Sequence, residues 1–387
     1  MRKIMTVLLL AALVTGSVFA EDGLAISGEV KTGLNISKDG DDDVVARVKN
    51  SDDAGTPGRI RFNFVYTKGN IQFKWRFQLR EAGDKFDEQN TSDFVAYAYA
   101  LGDFFDDQFR ISLGKIGGDS PWETSGDEIW ANVDNIQGAR FEFKPAFLSS
   151  LNVGMALGAK NNAYKLEDYL QEFIFGARYE NDAIDTRLGF ALDGPGDGTD
   201  GEPDGSTLVW RLNAKFVGSA VPDLSVWLNG QVKGIGGTVK DTNYNNKEES
   251  RLATDEWLYI KYAPNPWDAA LRLGLHTFDG TSAKQTTLNV KPVFNYKFND
   301  WLSANLYVNA ELLLGYKEGI KIDDEDPVLF DTIEVGPKLT FDLGSGASIA
   351  TAYTLTQKMP NSISAALAGD TKGKATNQFE IRFVYSF

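Results

Sequence analysis

An all-β chain, closed into a transmembrane antiparallel barrel of about eighteen strands, is the fold this sequence predicts. Three observations carry that prediction. Segments of strict apolar–polar alternation recur along the whole chain. The connections between them alternate short and long. After residue 20, no stretch is long and apolar enough to cross a membrane as a helix.

The alternation is cleanest in IQFKWRFQLR, Ile71 to Arg80. Ile71, Phe73, Trp75, Phe77 and Leu79 are apolar, and Gln72, Lys74, Arg76, Gln78 and Arg80 are polar. Period two means a strand with two unlike faces. A soluble sandwich uses the same pattern, with its apolar face on a second sheet. A barrel in lipid turns the apolar face to acyl chains and the polar face to a lumen.

Taken in order, the first strand is predicted over 23–37, where Leu24, Ile26, Val30, Leu34 and Ile36 alternate with Ser27, Glu29, Lys31 and Asn35. Strands at 58–67 and 70–81 flank the turn TKGN; Ile60, Phe62, Phe64 and Tyr66 form the apolar face of the former. Next come 93–101 and 108–116, then 138–145 and 149–160 around FKPAFLSS. The pair 171–180 and 183–193 surrounds ENDA, and 206–217 and 223–236 surround GSAVPD. Strands at 255–263 and 268–278 flank APNPW, and 286–297 and 301–315 flank KFND. The last are 330–342 and 347–357 around LGSG, then 377–387. Each is near the length a tilted strand needs to cross the hydrocarbon. The weakest are 138–145 and 255–263; if both belong to loops, sixteen strands remain.

The long connections include 38–57, 82–92, 117–137, 194–205, 237–254, 316–329 and 358–376. Short turns on one side and long loops on the other is the layout of an outer-membrane barrel. A sandwich has no reason to sort its loops this way. Aromatic residues near strand ends, Tyr66, Tyr97, Tyr99, Tyr179, Tyr262, Trp267 and Trp301, fit an interfacial girdle. They are also simply good strand formers.

Residues 1–20, MRKIMTVLLLAALVTGSVFA, read as a secretory signal peptide: a basic start, an apolar run and a small-residue cleavage site. The barrel then occupies 21–387. The formal charge is −15, or −17 without Arg2 and Lys3 (−15 − 2), which argues against a nucleic-acid partner. The chain has no cysteine and one histidine, His276. Thiol chemistry and Cys-based metal sites are therefore excluded, and any histidine-dependent catalysis hangs on one residue. His276 falls on the polar side of LRLGLHTF, and the chain is read as no enzyme.

Two stretches carry a family resemblance. QFEIRFVYSF puts Phe379, Ile381, Phe383, Tyr385 and Phe387 on one face. It resembles the terminal strand of bacterial outer-membrane barrels. The resemblance implies that Phe383, Tyr385 and Phe387 are an assembly signal read by the barrel-assembly machinery. Phe94 to Gly118, FVAYAYALGDFFDDQFRISLGKIGG, is similar to the part of bacterial porins that precedes their constriction loop. It implies that the third long loop, 117–137, folds into the lumen. A Pro-Glu-Phe-Gly-like turn is not found in this loop, which offers Pro121 and Glu123 instead.

With the apolar face toward lipid, the lumen wall from the second to the sixth strand carries Arg59, Arg61, Lys74, Arg76, Arg80, Arg110, Arg140 and Lys144 against one acid, Glu142. The third long loop carries Asp119, Glu123, Asp127, Glu128 and Asp134 and no Lys or Arg. An inward loop would set acids across a gap from a basic wall, and charges at such a gap set ion selectivity. The plainer reading is a solvated inner surface with acids screening it. The other long loops hold SKDGDDD, DGPGDGTDGEPDG and IDDEDP. These serve as solubilising loops, with a weak potential for divalent cations; no other cofactor is expected.

The function that follows is a porin, a water-filled channel for passive diffusion of small hydrophilic solutes and ions. The expected surroundings are outer-membrane lipid, with a homotrimer as the expected assembly. One alternative is a sugar- or anion-selective channel, for which Trp227, Tyr259, Phe278 and Tyr307 offer rings on polar faces. A second is a surface-exposed barrel adhesin or antigen.

Overall fold

The computed structural model describes residues 23–40, 44–47, 59–80, 95–117, 120–122, 136–159, 172–193, 204–241, 247–249, 252–279, 284–316, 328, 330–360 and 373–387. The strands in chain order are β1 (Leu24–Asp39), β2 (Val45–Arg47), β3 (Arg59–Lys68), β4 (Ile71–Arg80), β5 (Val95–Phe104), β6 (Phe109–Ile116), β7 (Ile136–Phe143), β8 (Leu151–Ala159), β9 (Glu172–Glu180) and β10 (Ile184–Asp193). They continue as β11 (Asp204–Ala214), β12 (Leu224–Asp241), β13 (Lys247–Glu249), β14 (Ala253–Tyr262), β15 (Trp267–Asp279), β16 (Lys284–Asn299), β17 (Leu302–Tyr316), β18 (Phe330–Gly344), β19 (Ala347–Lys358) and β20 (Lys374–Ser386).

Eighteen of these form a closed antiparallel barrel. The two short ones, β2 and β13, pair only with the outer ends of β1 and β12. Both weak segments are true strands: β7 pairs with β6 and β8, and β14 with β12 and β15. The sixteen-strand alternative falls. The predicted strand 206–217 stops earlier, at Ala214, and Lys215–Ala220 is a short helix. Alternation continues to Phe216 in the sequence. Its amide, however, donates to the Ala183 carbonyl in the neighbouring turn at 2.9 Å, which lifts the chain off the ladder. The signal peptide, residues 41–43, 194–203 and 317–327 of the acidic loops, and any divalent-cation site there lie outside the described residues.

β1 closes the barrel by pairing with β3 on one side and β20 on the other. The seam ends in two hydrogen bonds, Gly28 N–H to the Phe387 carbonyl at 2.8 Å and Phe387 N–H to the Gly28 carbonyl at 3.1 Å. Phe387 lies edge-on to Phe62 at 5.9 Å and stacks with Tyr385 at 5.8 Å. A Cβ on Gly28 would come 2.4 Å from the Phe387 ring and 2.6 Å from the Arg61 carbonyl oxygen. The second atom is backbone and cannot step aside, so glycine is required by close approach. Gly28→Val should therefore block closure. Outer-membrane samples run boiled and unboiled should show loss of the heat-shifted barrel, and a wild-type amount of it would refute the seam's need for a bare backbone.

The outer face is apolar. Phe64 stacks on Trp75 at 5.3 Å and meets Phe77 edge-on at 5.6 Å. Near the short turns, Tyr66–Phe73, Tyr262–Trp267, Trp267–Phe294 and Trp301–Phe341 form outward pairs at 5.7–6.4 Å. Tyr97 and Tyr99 differ from the expected girdle. They pair in register with Arg76 and Lys74, so they point into the barrel. Aromatic content at a strand end does not by itself tell which face a ring takes.

Candidate functional site: the inner wall

Strand alternation sets the inner wall. On β3 and β4 it turns Arg61, Asn63, Lys74, Arg76 and Gln78 inward, opposite the apolar set. The Arg61 Nε–H donates to Gln78 Oε1 at 2.5 Å, and the Arg76 Nε–H to Asn63 Oδ1 at 2.6 Å. Arg76 also lies 4.6 Å over the Tyr97 ring, and Lys74 5.9 Å over Tyr99. These partners fix the cations against the wall. A guanidinium stays charged at any working pH.

Arg110 faces inward but is held by Asp103, with Nε–H and Nη2–H donating to its two carboxylate oxygens at 2.6 and 2.9 Å. Asp103 was not among the sequence candidates, because it falls beyond the predicted end of its strand. Arg140 shares this wall yet is only 1% exposed, paired at 3.0 Å with Glu142, itself 3% exposed. It therefore meets protein rather than open lumen. Lys144 follows the end of β7 and sits exposed in the turn to β8, off the wall. Arg59 and Arg80 oppose each other in the β3–β4 register, but their side chains lie outside the described residues. So do Asp119, Glu123, Asp127 and Glu128. Phe383 and Tyr385 occupy the outward face of β20, in register with Ile349 and Ala347.

The other half of the barrel adds cations that the sequence reading had not singled out. Asp185 accepts from Arg178 at 2.9 and 3.0 Å and from Arg187 at 3.0 Å. Arg211 lies 5.8 Å over Trp227, which stacks on Tyr259 at 3.7 Å. Arg272 covers Tyr259 at 5.0 Å, and Lys291 lies 5.4 Å from Tyr307. From β11 to β17 the wall is thus a ribbon in which cations and rings are neighbours. Two of the proposed lumen rings, Trp227 and Tyr259, meet directly; the Phe278 side chain is outside the described residues. His276 faces inward, its Nδ1 2.5 Å from Asp255 Oδ1, and the Gln231 amide donates to the same carboxylate.

One part of the inner wall is dry. Trp122, from the third long loop, packs with Leu101, Ile116, Ala156, Ile174, Ala191 and Val209 in a small apolar core inside the barrel. The sequence signal for it is an aromatic residue in an acidic loop, a signal that Trp130 of the same loop carries equally.

No protein-family model and no curated protein matches the sequence. Solved structures do match across nearly the whole chain. OccAB1 of Acinetobacter baumannii aligns with a TM-score of 0.58 at 11% identity, covering 95% of this chain and 97% of that one. The anion-selective porin from Comamonas acidovorans gives 0.54 at 13%, with 94% and 99% covered. The outer-membrane-expressed OmpT of Vibrio cholerae gives 0.51 at 12%, with 96% and 99% covered. At such identities the likeness speaks for the fold, and the chain has the fold of outer-membrane porins and channels.

Proposed function

We propose that the protein is a water-filled outer-membrane channel for passive diffusion of small hydrophilic solutes and ions. The observation that carries this reading is the two-faced wall, with aromatic and aliphatic groups outward and paired arginines, amides and carboxylates inward around a closed barrel. Charged linings with fixed geometry favour permeation of hydrated solutes. The reading is of a transporter rather than an enzyme, since the single histidine faces the lumen, away from the lipid face where a lipid hydrolase would need it. Purified barrel in planar bilayers should give stepwise unitary conductance. A silent bilayer, with the folded barrel demonstrably inserted, would remove the reading and favour an adhesin.

A preference for anions is the second reading. It is supported by the cations of the ribbon, Arg211, Arg272 and Lys291, beside inward rings. One matched solved structure bears the name of an anion-selective porin. The net charge of −15 does not oppose it, because many of the acids lie in loops. Another matched structure is a trimer form of the Vibrio cholerae protein, and a homotrimer is the assembly we propose here. Light scattering in detergent reads the mass directly.

A further inference from the structure

We propose that Trp122 is a latch that docks Ser120 to Trp122, at the start of the third long loop, on the inner wall, with Gly154 and Gly176 as its socket. β6 ends at Ile116. Trp122 follows six residues later, yet it sits on β8 and β9, beyond β7. At about 4.8 Å per strand that is a lateral reach of roughly 10–14 Å across the wall. Trp122 therefore lies across the inner surface from the end of β6, and it is 0% exposed.

The socket is built for a ring. A Cβ on Gly176 would lie 2.0 Å from the indole, and one on Gly154 would lie 2.6 Å from it. The two glycines are register partners on neighbouring strands. Neither has a positive φ, so the backbone there is ordinary strand and any residue could adopt it. Glycine is present for space. Around the socket, inward residues that a wet lumen would favour as polar are Ala156, Ile174, Ala191 and Val209, all buried. Register connects three of them across β8 to β10: Ala156 with Ile174, Ile174 with Ala191.

The seat is tight in shape but incomplete in chemistry. The Trp122 indole N–H finds no hydrogen-bond acceptor among the described residues. A buried orphan donor costs free energy. Trp122 is thus a positioning residue for the channel's width; this consequence rests on the channel reading, whereas the docking does not.

Two measurements test it. The chain has no cysteine, so Ala156→Cys places one thiol beside the socket. In the wild-type background this thiol should resist a water-soluble maleimide; with Trp122→Ala or Gly176→Val added it should label at least about ten times faster, as burial gives way to lumen water. In bilayers, Trp122→Ala should raise unitary conductance by about 1.5-fold or more, with noisier open current, because the narrowest section limits flow. Trp122→Phe, which keeps a ring, should stay near wild type in both. Folded variants with a protected thiol and unchanged conductance would overturn the latch. If neither Trp122→Ala nor Gly176→Val yields a heat-shifted barrel, Trp122 belongs to the folding core and the latch is again overturned. A silent wild-type barrel whose thiol protection still depends on Trp122 would remove the channel and keep the latch.

Discussion

Trp75→Arg should destabilise the barrel by about 2–4 kcal/mol, while Arg76→Gln, one residue along, should cost about 1 kcal/mol or less. Trp75 is the fifth of ten residues in β4, so it lies near the bilayer midplane. There an arginine on the lipid face has neither water nor a partner. The substitution also removes the stacked pair with Phe64 at 5.3 Å, which adds a smaller loss. Arg76 faces the lumen. Its replacement gives up one hydrogen bond to Asn63 and the contact with Tyr97, but glutamine remains solvated. Urea unfolding in lipid vesicles reads both numbers. Single cysteines at positions 73 to 77 give an independent check: a water-soluble thiol reagent should label 74 and 76. Labelling confined to 73, 75 and 77 would turn the barrel inside out.

The fold was legible because lipid and water impose opposite demands on the two sides of each strand. The predicted segment 70–81 is β4 at Ile71–Arg80, and 347–357 is β19 at Ala347–Lys358. Legibility weakened where the inner face is dry or crowded. In β14, Trp257 and Tyr259 point inward and Glu256 outward, between Gly230 and Leu275. The hydropathy contrast is inverted around 256 and 257, which is why 255–263 is a weak segment in the sequence. In β7, Gly138 and Ala139 carry almost no polar contrast. Nothing in the structure explains why a carboxylate occupies the outward position at 256.

The site was legible in charge but not in pairing. Alternation identified Arg61, Lys74, Arg76, Arg110 and Arg140 as inward. It could not show that Asp103 clamps Arg110, or that Arg140 is sealed against Glu142. The first depends on which residues meet across β5 and β6, which register decides; the second joins two inward residues of one strand, and what alternation cannot show is that the pair is buried. Nor could it show that Asp185 would gather two arginines from β9 and β10. Trp122 shows the same gap from the opposite side. Its partners are glycines, which leave no hydropathy mark, and its role follows only from what a Cβ would strike.

Arg61→Glu with Arg76→Glu should move the zero-current potential of the channel toward cations, by on the order of 10 mV in a tenfold salt gradient. Each substitution changes the wall by two unit charges, four in total. The positions suit the effect, because both guanidinium groups are held on the inner face by neighbouring amides, Gln78 and Asn63. A fixed charge biases permeating ions more than a mobile one of equal sign. Lys144→Glu is the control. It makes the same sign change in an exposed turn outside the wall, so it should leave the potential near wild type. Salt supplies the second control. The Debye length is about 10 Å at 0.1 M and about 3 Å at 1 M, so the shift should shrink in concentrated electrolyte. A double variant that folds, conducts and keeps the wild-type potential at 0.1 M would place the selective section of the lumen away from β3 and β4. A shift of equal size for Lys144→Glu would mean that overall charge, rather than the inner wall, sets selectivity.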